Sequence, residues 1–91
     1  MAWPQIVQAV TEAWNRPWEE LRSARGSGAR EAALFIGRTW GRLSLKELGR
    51  LAGGIHHNAV SIAIRRFTQR LNRDHTLLGK LSLIQKALEI H

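Results

Sequence analysis

Apolar residues recur at three- and four-residue intervals along most of the chain, and strict alternation over a strand's length is absent. Trp3, Ile6, Val7, Val10 and Trp14 form one helical stripe over about 4–14, with Pro4 suited to the first helical position. Asn15-Arg16-Pro17 breaks that helix, because the residue before proline resists helical geometry. Pro17 then opens a short second helix, WEELR, whose Glu19 and Glu20 stand near its positive end. A third helix is expected over about 29–41, with Ala33, Phe35, Ile36 and Trp40 mostly inward and Gly41 as its stop. Its mid-helix Gly37 suits close approach by another helix. Asn72, Arg73 and Asp74 interrupt the next run of periodicity. Asp74 or Thr76 can cap a final helix in which Leu77, Leu81, Ile84 and Leu88 share one side.

The most informative stretch is 43–70, LSLKELGRLAGGIHHNAVSIAIRRFTQR. Leu45, Leu48 and Leu51 mark a short amphipathic helix, and Ser44 with Glu47 has the spacing of a capping box. Gly53 and Gly54 supply the backbone freedom for a sharp turn. A second stripe follows at Val60, Ala63, Ile64, Phe67 and Leu71, leaving His57, Asn58, Ser61, Arg65 and Gln69 on the opposite face. Two helices so joined form a helix-turn-helix pattern. The expected fold is all-α, a compact bundle of about six helices in one domain over 1–91. Its parts are an N-terminal helical pair (1–22), the helix-turn-helix (44–70) and a C-terminal helix (74–90).

Composition narrows the function. Ninety-one residues support one modest core, and 44% hydrophobic content argues against general disorder. No apolar run is long enough to span a membrane, and MAWPQIVQAV lacks the features of a signal peptide. The absence of cysteine excludes disulfides and thiolate metal sites and permits a cytoplasmic location. Net charge is +7, and residues 22–73 carry eleven basic groups against Glu31 and Glu47, a local +9. Eleven arginines stand against three lysines, and arginine's planar fork suits phosphates and guanine edges. A basic surface that only confers solubility is the plainer reading; a polyanion partner accounts for the concentration of charge. The four tryptophans, at helical spacing, are expected to anchor the core rather than stack on bases.

The motif from Ser44 to Arg65 resembles the C-terminal DNA-binding domain of the bacterial replication initiator DnaA, whose signature runs roughly SLPEIG, phenylalanine-Gly-Gly, RDHTTV. The matching residues here are Ser44, Leu45, Glu47, Leu48, Gly49, Gly53, Gly54, His57 and Val60, then Ala63 and Arg65. The match reaches upstream through Arg38 and Arg30 and covers roughly 18–71. The same module closes some repeat-associated tyrosine transposases, and GIHHNAVSIAIRRF after a helix pair is nearer to that tail. The resemblance implies a Trp-repressor-like helical domain whose 57–70 helix enters a major groove. It implies that His57 reads a base, that Asn58 and Ala59 stand where the initiator has two base-contacting threonines, and that Lys46 lies near a phosphate. It places Arg25 in a loop that reaches a minor groove. Ile55-His56 and Asn58-Ala59 depart from the initiator's arginine-aspartate and threonine-threonine, implying a target other than its origin box.

The residues carry their own chemistry beside that resemblance. Asn58 suits bidentate contact with adenine and Ala59 a thymine methyl, although Asn58 also suits a helix N-cap. Ser61 and Arg65 share its face, so base or backbone contact is open to both. Arg30, Lys46, His56, Arg65 and Arg66 are the further backbone candidates, and Arg66 with Arg70 could follow a phosphate strand or simply be solvated. SARGSG (23–28) reads either as a basic, flexible arm or as a plain linker. His56 and His57, being adjacent, are expected to diverge, and nothing completes a metal site around them. No cofactor is expected, there is no P-loop run, and no nucleophile supports catalysis. The expected function is sequence-specific binding of double-stranded DNA, non-catalytic, by an origin- or repeat-binding domain. The alternatives are a transposase tail recognising a DNA hairpin and a basic module docking an acidic protein partner. The oligomeric state is left open.

Overall fold

The computed structural model describes residues 1–24 and 26–90. Among them are six helices and no strand: α1 (Trp3–Trp14), α2 (Trp18–Ser23), α3 (Ala29–Thr39), α4 (Leu45–Leu51), α5 (His57–Leu71) and α6 (His75–Leu88). The all-α expectation of about six helices therefore holds, and the boundaries move by small amounts with identifiable causes. Pro4 falls at the second helical position rather than the first, and Pro17 is the N-cap of α2 rather than its first residue. α3 stops at Thr39, before Gly41; the left-handed residue that redirects the chain is Arg42 (φ 56°). Gly41 is small for another reason: its amide donates to the Ile36 carbonyl, and an added Cβ would lie 2.8 Å from the Gly37 carbonyl oxygen.

α3 is the hub. Ala29, Ala32, Ala33 and Ile36 pack into a larger core with Ile6, Val10 and Trp14 of α1 and Leu77, Leu81 and Ile84 of α6. Leu34, from the same helix, enters a second core with Leu48 and Ala52 at the end of α4 and Val60 of α5. Stacking the stripes this way buries apolar surface worth roughly 25 cal/mol per Å2. The four tryptophans serve packing: Trp14 is buried, and Trp3 meets Trp18 edge-on at 5.9 Å between centroids. Gly37 admits α4 as its position suggests, since a Cβ there would come within 2.7 Å of Leu48 Cδ2. Phe67 extends from α5 into the larger core, so α5 is seated on both clusters. That double seating fixes which side of α5 faces solvent.

Candidate nucleic-acid interface

Ser44 starts α4 as the pattern predicts, its Oγ accepting from the Glu47 amide at 3.1 Å. The turn after α4 is closed by Gly54 N–H and Ile55 N–H, both donating to the Gly49 carbonyl at 2.9 Å. Gly53 (φ 107°) and Gly54 (φ 84°) adopt left-handed conformations that residues with a Cβ rarely take. Gly49 has a stricter role, because a Cβ there would collide with the Ile55 carbonyl oxygen. The tight fold-back of the chain onto α4 thus depends on three glycines, one inside the helix.

α5 begins differently from the sequence reading. His56, not Asn58, is the N-cap: its backbone is extended (φ −62°, ψ 144°), and Nδ1 accepts from the Asn58 amide at 3.1 Å. The lone pair used by that bond places the ring proton on Nε2, leaving one donor pointing away from the cap. Because His56 lies outside the helix, its ring does not diverge from that of His57. The two stack at 4.2 Å between centroids, 30° apart in plane. Among the described residues no three His, Cys, Asp or Glu groups cluster as a metal site would require.

Asn58, Ala59, Ser61 and Arg65 are exposed on the first turns of α5, and His57 is half-exposed beside them. None of these five side chains makes a hydrogen bond or ion pair with the described residues. Lys46 and Arg50 are exposed on α4 and Arg66 on α5. The ion pairs among the described residues are Arg16–Glu20, Arg30–Glu31 and Arg70–Asp74, so Lys46, Arg50, Arg65 and Arg66 stand without a carboxylate. Ile62 was not singled out from sequence, yet it is exposed on the turn after Asn58. Its position off the Val60–Phe67 stripe is the signal that marks it.

Arg30 is half-buried at the start of α3. Its Nε has no partner among the described residues, while Nη2 lies 3.6 Å from Glu31 Oε1. Arg25 lies outside the described residues. The segment that follows it is not a free arm. Gly26 and Ser27 carbonyls accept from Arg70 Nη1 (3.0 Å) and Trp14 Nε1 (3.2 Å), and Ser27 Oγ accepts from the Ala29 amide. Arg70 is likewise no simple surface cation, since its Nε donates to Asp74 Oδ2 at 3.0 Å. Asp74, rather than Thr76, caps α6, its Oδ1 accepting from the Leu77 amide at 3.0 Å. The Leu77 amide and, after it, the Arg70 guanidinium hold the Asp74 carboxyl below the usual carboxylate range, against partial desolvation.

The chain matches a segment of a chromosomal replication initiator from Gluconobacter oxydans at 29% identity over 89 residues, 93% of its own length. Over nearly all its length, it is similar to DnaA. The corresponding DnaA of Nitrobacter hamburgensis is 28% identical over 92% of the chain, and that of Rhodopseudomonas palustris 27% over 92%. The chain spans less than a fifth of the length of these DnaA relatives, 18–19%. The resemblance first carried by Ser44–Arg65 therefore extends beyond that motif to nearly the whole chain. No protein-family model matches the chain, and no solved structure matches it significantly. Among the described residues no helix is long and apolar enough to cross a membrane.

Proposed function

We propose that this chain binds double-stranded DNA, sequence-selectively and without catalysis, through a helix-turn-helix formed by α4 and α5. The carrying observation is the amino end of α5: Asn58, Ala59, Ser61 and Arg65 are exposed together and unengaged, while Val60 and Phe67 anchor the helix from behind. A helix held that way offers its first turns to base edges in a major groove. The similarity to a replication initiator over nearly the whole chain supports the same reading. In it, Asn58 reads adenine, Ala59 and Ile62 touch thymine methyls, and His57 and Ser61 complete base contact. Lys46, Arg65, Arg66, Arg30 and the free Nε2 of His56 neutralise or bond phosphates, and Arg25 belongs with that set. On this reading residues 1–91 act as a single domain on DNA in a bacterial cytoplasm.

Selection from a randomised duplex pool, followed by titration of the enriched sequence against a scrambled one, tests this. Enrichment of a short motif, bound at least about tenfold more tightly than its scramble (roughly 1.4 kcal/mol), is the expected result. Equal binding to every duplex would end the claim of selectivity. Retention no stronger than on a neutral surface would end the DNA reading itself.

A further inference from the structure

Between the Gly26–Gly28 turn and α5 lies a groove of about 560 Å3, lined by Arg30, Arg66 and Arg70 with Glu31, Ala59 and Ile62. Two of its arginines differ from the third. Among the described residues Arg66 has no carboxylate partner, and Arg30, whose Nη2 lies 3.6 Å from Glu31 Oε1, keeps a buried Nε without a partner. Arg70 has two donors committed across the turn, Nη1 to the Gly26 carbonyl and Nε to Asp74, each at 3.0 Å. Asp74 is itself tied to the first turn of α6 through the Leu77 amide. One guanidinium therefore links a turn 44 residues away in sequence to the carboxyl end of α5 and the start of α6. Gly28 lets the turn lie close, for a Cβ there would come within 2.9 Å of Leu77 Cδ1 and 3.4 Å of Arg70 Nη1.

We infer that Arg70 is a positioning residue for DNA: it clamps the Gly26–Gly28 turn beside α5 and so sets the groove in which Arg30 and Arg66 hold a backbone phosphodiester. This rests on the duplex-binding reading above and assigns within it a division of labour. Phosphate falls to Arg30 and Arg66, which bridge no distant segments, and geometry to Arg70, which does. A guanidinium can serve two acceptors in different directions at once, whereas an ammonium is a single point charge on a flexible stem. Net charge and loop position are thereby separable by substitution.

The test is titration of a short mixed-sequence duplex with the full chain and two variants, Arg70→Lys and Asp74→Ser, well below each thermal midpoint. Serine keeps an acceptor for the α6 cap but releases Arg70. Arg70→Lys conserves charge, and Asp74→Ser removes a negative charge, which by electrostatics alone would tighten binding. If the unclamped turn adopts its working position about one time in ten, both variants lose about tenfold in affinity. Their salt slopes stay at the parent value, because no phosphate contact was removed. Faster amide exchange at Gly26–Gly28 in the free variants accompanies that loss. Parental affinity in Arg70→Lys, or tighter binding by Asp74→Ser, would show Arg70 to be an ordinary cation and overturn the inference. A lowered thermal midpoint with unchanged affinity would reduce it to a structural tie and overturn it equally. Absence of duplex binding by the parent chain would instead remove the functional reading, and the inference with it.

Discussion

Asn58 shows how a single position changes meaning once its neighbours are placed. Its residue type permits either a helix cap or a base contact; His56 takes the cap and leaves the Asn58 carboxamide without a partner among the described residues. A carboxamide so placed can give adenine a donor and an acceptor together, a contact contributing about 1–3 kcal/mol of discrimination. Asn58→Ala should therefore flatten preference at one base pair of a selected site while leaving affinity for scrambled duplex close to the parent's. Titration of the selected site and its single-pair variants measures this. Uniform weakening on all sequences would assign Asn58 to the backbone or to folding. The histidine stack belongs to this scale too: adjacency suggested divergence, and only the extended backbone of His56 brings the rings together.

At the scale of elements, the α4–α5 connection is specified by excluded volume. Alanine is worth up to about 1 kcal/mol over glycine inside a helix, so Gly49→Ala would stabilise α4 if α4 stood alone. In the folded chain the new methyl meets a backbone carbonyl, that of Ile55, which cannot swing away as a side chain can. The collision should prevail, lowering stability by about 1–3 kcal/mol in a denaturant titration. Gly79→Ala provides the opposite sign: Gly79 lies within α6 and a Cβ there meets nothing within 4 Å. That variant should gain up to about 1 kcal/mol. Equal responses from the two would remove Gly49 from its role. The pair also shows why composition was a partial guide: both are mid-helix glycines, and only the chain folding back at Ile55 distinguishes them.

Across the whole molecule two electrostatic consequences are measurable. If about five phosphates are contacted, log affinity should fall with log salt with a slope of about −4 to −5. Replacing both Arg65 and Arg66 by glutamine should weaken every duplex and make that slope shallower by about 2; an unchanged slope would take both off the phosphate path. The second consequence concerns folding. Asp74 is held below the usual carboxylate range in the folded chain, so the folded state binds fewer protons there than the unfolded one. Its contribution is thus complete above the ordinary carboxylate range and lost as pH falls through that range toward the lower folded value. The thermal midpoint of the parent should drop toward that of Asp74→Asn on acidification, whereas a constant gap between them would detach Asp74 from the acid response.

Local periodicity was enough to determine six helices, the inward stripes of α5 and α6, the Ser44 start and the glycine turn, because each depends on residues within a few positions of one another. The excess of arginine over residues 22–73 was equally plain in the sequence, since charge needs no fold to be counted. Which arginines are free was not. Arg70 is occupied by a carbonyl 44 positions away, Arg30 is drawn into a groove, and Arg65 and Arg66 are left open, all by the packing of α3, α5 and α6. Hydrogen bonds between distant segments depend on where those segments meet, and that meeting is a property of the packed core rather than of any short run of residues.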